Sequence, residues 1–351
     1  MSGAEAGEDT ATAEGPGADP DPDPFARLVA GVSLADLSAV FGAGLWVVLA
    51  AAGGLSQVER ALALAPLVVV PLGVGLAARG AFPGLSGRLL GAAVALLPVG
   101  ASLMALSLVV DAGPVAAGLA APWVFVTSLL ALAGVSRAVE RESGRGRGAD
   151  GSGGTDESVA LAPALVDAGL AYAPVAAVAL VFSHLGITFG FGPTIILLTA
   201  VHFHFAGFAL PVLAGVTGRR IGGFEGATRA VAGVLLVGPA LIAIGISFSP
   251  LVEVVAVGVF TLAVAAFGLL ALVRAVPSLG ALPAALVGLS ALALPASMVL
   301  ALGYGIAAFS GTNPLGLSIG RMVTLHGSLN AYGFALCGVI GWRFTTAAAE
   351  A

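Results

Sequence analysis

Long apolar runs alternate with short polar breaks along most of the chain. Ten runs can be delimited, at 36–54, 61–79, 88–110, 114–136, 166–187, 192–216, 230–248, 251–272, 280–302 and 321–341. Most reach the roughly 20 residues a helix needs to cross a hydrocarbon core about 30 Å thick. Backbone groups in lipid must bond internally, so each run predicts a transmembrane α-helix. The short, strictly alternating strands of a membrane barrel have no counterpart. The predicted fold class is therefore all-α: a polytopic integral membrane bundle of about ten helices.

Several edges are irregular. Asp36 opens the first run, and Pro66 and Pro71 interrupt the second. The stretch from Val159 to Thr188 exceeds one simple crossing and contains Pro163, Asp167 and Pro174, so its start, roughly 159–168, is expected on the membrane surface. Residues 1–27 form an acidic tail without apolar periodicity, rich in Gly, Ala and Pro, and are expected to be disordered. No basic segment precedes an apolar core there, so the first span is expected to be retained rather than cleaved. A Gly/Ser/charge stretch at 137–158 reads as a flexible linker. It separates a four-helix segment, 28–136, from a six-helix segment, 159–343, with a short tail at 344–351.

Arginine placement tests the count of ten. Arg60 and Arg321 fall on one side of the predicted membrane, and the rest of the 14 basic residues fall on the other. Basic residues are enriched in cytoplasmic loops. Both termini are accordingly expected in the cytoplasm, with the protein in the cell membrane.

Composition strengthens this picture. The chain has 351 residues, of which 58% are hydrophobic and only 9% charged. That is far too little charge to coat a soluble globule. Lys is absent, and the 51 glycines, many inside apolar runs, suit close helix packing. The single Cys337 excludes an intramolecular disulfide. The net charge of −5 owes most to the tail and leaves no basic field for nucleic acid, so the bilayer is the expected partner, together with a small-molecule substrate. No phosphate-binding Gly-Lys-Ser/Thr loop is present. Gly144-Arg145-Gly146-Arg147-Gly148 follows no strand and is not a dinucleotide loop.

The candidate chemistry lies in four histidines, His184, His202, His204 and His326, all within the C-terminal spans. Ionisable groups inside a bilayer usually face a cavity, a partner or a pathway; the plainer alternative is a hydrogen bond between helices. His202 and His204, two apart, differ by about 200° around a regular helix and cannot both face one ligand. Gly207 and Pro211 allow distortion downstream. Otherwise the two serve different neighbours. His326 and Asn330 are i,i+4 and share a face, and Tyr332 lies deep enough to line a pocket or to pack helices. His184, His202, His204 and His326 could thus build a polar pocket in the non-cytoplasmic half. Imidazoles there can move protons, bind substrate, or ligate zinc, copper, iron or haem. His202, His204 and His326 are the metal candidates, although their spacing matches neither a zinc-hydrolase helix nor a Cys-x-x-Cys-His haem site, and the sequence names no cofactor. The carboxylates Asp111, Asp167, Glu225 and Glu253 sit at or beyond span edges and read as caps or interface groups; Asp167 or Glu253 could instead couple proton movement. Trp342, beside Arg343, reads as an interface anchor.

Two segments carry a resemblance. Val201-His202-Phe203-His204-Phe205-Ala206-Gly207-Phe208 and His326-Gly327-Ser328-Leu329-Asn330-Ala331-Tyr332-Gly333-Phe334 resemble the paired hallmarks of the YndJ-like family of bacterial multi-pass membrane proteins. The resemblance covers roughly residues 160–343. It implies that His202, His204, His326 and Asn330 belong to the family's signature region, and it assigns them no task. The family is sometimes labelled a transporter. Three functions stay open on the sequence: a transporter of a small solute, an integral-membrane enzyme or metal/haem redox protein using the same histidines, and a membrane scaffold or sensor.

Overall fold

The computed structural model describes residues 28–29, 32–147 and 157–347. The acidic tail, the centre of the 137–158 linker and the last four residues lie outside them. Ten helices among the described residues are long and apolar enough to cross a membrane. They are α1 (Leu34–Ala51), α2 (Gln57–Ala77), α3 (Gly84–Ser107), α4 (Pro114–Arg147), α5 (Glu157–His184), α6 (Pro193–Arg220), α7 (Ala227–Phe248), α8 (Pro250–Ser278), α9 (Ala281–Ser310) and α10 (Ile319–Thr345). A two-residue antiparallel pairing, Leu28–Val29 with Val32–Ser33, precedes α1.

Short connections make successive helices antiparallel neighbours, and α10 returns to pack on α2. At the centre stands α2, in contact with α1, α3, α6 and α10. Its Leu62, Leu64, Leu67, Val69, Val70, Val74 and Leu76 are all buried. The span broken by two prolines is thus the one most enclosed by protein, and the two facts are connected. Pro71 has no N–H to bond the carbonyl of Leu67 four residues back. The helix widens to a π turn at Ala65–Val69, and a freed carbonyl is tolerated at membrane depth only where protein surrounds it. Gly42 of α1 meets it: a Cβ there would lie only 2.0 Å from the Leu67 oxygen. Apolar side chains such as Leu241, Ile244, Val255, Leu262 and Leu269 point outward from α7 and α8, as a lipid-facing surface requires.

Two boundaries differ from expectation. α4 does not stop at residue 136 but stays helical to Arg147. α5 is one continuous helix from Glu157, and its start is not laid on a surface, because Leu165, Val166 and Asp167 are buried. The reason is electrostatic. Asp167 takes the Arg137 Nε–H at 2.5 Å and pairs with Arg141 at 2.5 Å, which clamps the end of α4 to the start of α5. Asp167 is therefore a buried ion-pair partner rather than a cap. Asp36 of α1 likewise receives both Nε and Nη2 of Arg343 in α10. Trp342 is 4% exposed and packs inside the bundle, not at the interface as its position beside an arginine suggests. Glu253 does lie in the first turn of its helix, α8, behind the N-cap Ser249.

Candidate functional site

The histidine-bearing stretches of α6 and α10 are both wound as π-helix. In α6 the π segment, Phe203–Ala209, begins just after His202. Pro211 accounts for it, since its ring would press on the carbonyl of Gly207 in a regular helix. In α10 two π segments, Val323–Gly327 and Leu329–Leu336, carry His326, Asn330 and Tyr332. They contain no proline, and α9 supports them instead. Ser297 Oγ donates to the carbonyl of His326 at 3.3 Å, and Ser290 Oγ donates to that of Phe334 at 2.7 Å. Widened turns of this kind are frequent at functional sites.

The winding brings His202 and His326 together across the α6–α10 contact, ring centroids 6.0 Å apart and planes 30° from parallel. Their hydrogen bonds define the ring protons. His202 Nδ1 lies 2.7 Å from the Leu198 carbonyl, which only accepts, so Nδ1 carries hydrogen. Its Nε2 has no partner among the described residues, and the residue is exposed at the surface of the bundle. His326 is buried. Its Nδ1 lies 2.9 Å from the Ser297 carbonyl and its Nε2 is 3.0 Å from Asn330 Nδ2. The Asn330 amide donates, so Nε2 accepts and the imidazole is held neutral. Asn330 Oδ1 is buried and unpartnered.

The other candidates go elsewhere. His204 turns away from the pair and is fully buried; Trp123 Nε1 donates to its Nε2 at 3.0 Å, with the two rings within 20° of coplanar. Its Nδ1 is 2.8 Å from the Ala200 carbonyl. Both nitrogens are occupied, Nε2 in tying α6 to α4 and Nδ1 on a carbonyl of its own helix, which leaves no lone pair for a metal. His184 sits between α3 and α5, its Nε2 3.1 Å from Ser107 Oγ. Tyr332 faces α1, with its ring 6.1 Å from Trp46 in an edge-to-face contact. Only His202, His326 and Asn330 therefore converge. Among the described residues no three His, Cys, Asp or Glu side chains gather as a metal set. The three-histidine ligand set is thus not formed, and two imidazoles remain.

Sequence reasoning missed four members. Gln57 opens α2 and reaches across to α10, accepting from Thr324 Oγ1 and donating to Ser328 Oγ, each at 3.1 Å. Thr324 and Ser328 are i,i+4, a signal that was available. Ser297 is one of three serines in the otherwise apolar α9 and announced nothing. Beside Thr324 a hollow of about 610 Å³ opens between α9 and α10, lined by Leu300, Leu315, Leu317, Arg321 and Leu325.

These features define a class: a polytopic helical membrane protein in which two π-wound helices, α6 and α10, bring His202 beside a neutral His326–Asn330 pair. The chain belongs to the YndJ-like family, whose model, described as YndJ-like protein, matches residues 60–334. The match extends from α2 well into α10 and so takes in helices of both halves. The uncharacterized membrane protein YndJ of Bacillus subtilis (strain 168) is 34% identical over 157 residues, which is 45% of this chain and 28% of that relative. The aligned part thus spans little more than a quarter of the relative's length. No solved structure matches.

Proposed function

We propose that the protein is a transporter of a small polar solute in the cell membrane, with its arginine-rich end in the cytoplasm and the His202 cleft open toward the opposite side. The observation that supports it most is the unpartnered Nε2 of His202 on an accessible ring at membrane depth, backed by the neutral His326–Asn330 pair. An acceptor left open inside a bilayer is costly unless something polar visits it. The hollow lined by Thr324 falls within the usual size range of small-molecule sites, and Thr324 itself donates to Gln57. Gln57, Ser328 and Asn330 supply neutral donors and acceptors, which suits an uncharged or zwitterionic solute better than a strong ion.

The test is a thermal-stability screen of the detergent-purified chain against amino acids, sugars, polyols, nucleobases and short carboxylates, wild type beside His202→Ala. A solute that stabilises only the wild type should then cross proteoliposomes carrying the wild type at several times the His202→Ala rate. If no solute separates the two proteins, or if the one that does is bound and not moved, the transport reading fails.

A further inference from the structure

A second polar cluster sits at the opposite end of the bundle. Arg137 is 3% exposed. Its Nε donates to Asp167, its Nη2 donates to the Pro163 carbonyl at 3.2 Å, and its guanidinium lies 3.9 Å above the Phe82 ring. Arg219, from the end of α6, donates through Nη2 to the Leu76 carbonyl at 2.8 Å. The remaining Nη1 groups of Arg137 and Arg219 both turn toward Gly80 in the α2–α3 turn, where a Cβ would stand 3.0 and 2.8 Å from them. One turn along α4, Arg141 has an Nη1 that is buried and unpartnered. Glu140 is committed to α3: its Oε2 accepts from Ser86 Oγ at 2.8 Å.

Where five spans end, Arg137 and Arg141 thus share the one carboxylate of Asp167, Arg219 is bonded only to a backbone carbonyl, and the Nη1 groups of all three have no bonded acceptor among the described residues. An unmatched cation in a place largely withdrawn from water is costly, and an oxyanion with several acceptor oxygens relieves it. We propose that Arg137, Arg141 and Arg219 form a binding site for a phosphate-type oxyanion at this end of the bundle, with the phosphodiester of an anionic lipid headgroup or free phosphate as its source. Basic pockets between transmembrane helices are a known way of holding such headgroups. The geometry suits a guanidinium more than an ammonium, since the forked donors can engage two oxygens at once.

The experiment follows thermal unfolding of the full chain in mild detergent with added phosphatidylglycerol, phosphatidylcholine or inorganic phosphate. Phosphatidylglycerol should raise the midpoint while phosphatidylcholine does not, and the rise should fall by half or more in Arg219→Gln and in the partly exposed Arg141→Gln. Arg321→Gln removes the same charge at the far end and should keep the full rise. A comparable rise with inorganic phosphate alone would make free phosphate the source; no rise with it would make the lipid the source. The site is refuted if neither phosphatidylglycerol nor inorganic phosphate raises the midpoint above phosphatidylcholine, or if Arg141→Gln and Arg219→Gln respond as the wild type does. Solute movement through the His202 cleft does not enter this readout.

Discussion

At the residue scale, hydrogen-bond partners divide the four histidines more sharply than their positions do. His204 is a structural tie. Indole N–H only donates, so the Trp123 bond requires an unprotonated Nε2 on His204. Trp123→Phe deletes the donor together with the five-membered ring of a fully buried indole, which leaves that Nε2 unpaired beside a small cavity. We expect a loss of about 2–3 kcal/mol from the orphaned acceptor and the lost packing together. Adding His204→Leu should recover part of it, because both polar partners are then gone. Denaturant titration in mixed micelles measures all three proteins, and equal stability of Trp123→Phe and wild type would show that the bond contributes nothing. His202→Ala is expected to change stability by no more than about 0.5 kcal/mol, since its open Nε2 ties no helix to another and its Nδ1 bonds only to its own helix. A large loss there would move His202 from cleft to framework.

At the element scale, widened turns and close approaches act together. The freed Leu67 carbonyl of α2 can stay in the membrane because Gly42 brings the α1 backbone to it, within about 3.5 Å of Cα, the range of a weak C–H···O contact. Gly44, two residues on in the same helix, has nothing within 4 Å of where its Cβ would be. Alanine should therefore act oppositely at the two sites. Gly44→Ala is expected to be neutral or stabilising by up to about 1 kcal/mol, from helix propensity. Gly42→Ala is expected to cost about 1–3 kcal/mol as α1 is pushed off α2. The same titration compares them, and similar effects would mean the two helices are not held this closely. In α10, Ser290 and Ser297, seven residues apart on α9, cover the carbonyls of Phe334 and His326. These details also show what the sequence made legible. Ten apolar runs were readable because hydropathy follows directly from residue type. The His326–Asn330 contact was readable because i,i+4 neighbours are local. The π segments were not, since they depend on which neighbour takes up a freed carbonyl. The separation of His202 from His204 was readable from their spacing, but their partners were not, because His326 and Trp123 come from distant parts of the chain. Asp167 and Trp342 were misread for the same reason: position in a span does not reveal the helix on the other side.

At the scale of the whole molecule, the two ends of the bundle differ in chemistry. One holds neutral donors and acceptors around His202; the other holds arginines pinned by Asp167, Asp36 and backbone carbonyls. The asymmetry gives each end a preferred aqueous phase, because basic residues resist translocation. The turns make this testable. Cys337 is the one native thiol, so Cys337→Ser provides a cysteine-free background. Asp111 is exposed in the turn between α3 and α4, at the arginine-poor end, and Glu225 is exposed between α6 and α7, at the arginine-rich end. In that background, Asp111→Cys should react with a membrane-impermeant maleimide on intact cells. Glu225→Cys should react only after the membrane is opened. The reverse pattern would turn the bundle over and place the His202 cleft on the cytoplasmic side, so that a solute would be loaded from within. Labelling of both sites from outside would break the alternation itself, because Asp111 and Glu225 are separated by three crossings, α4, α5 and α6, and an odd number of crossings must put them on opposite sides.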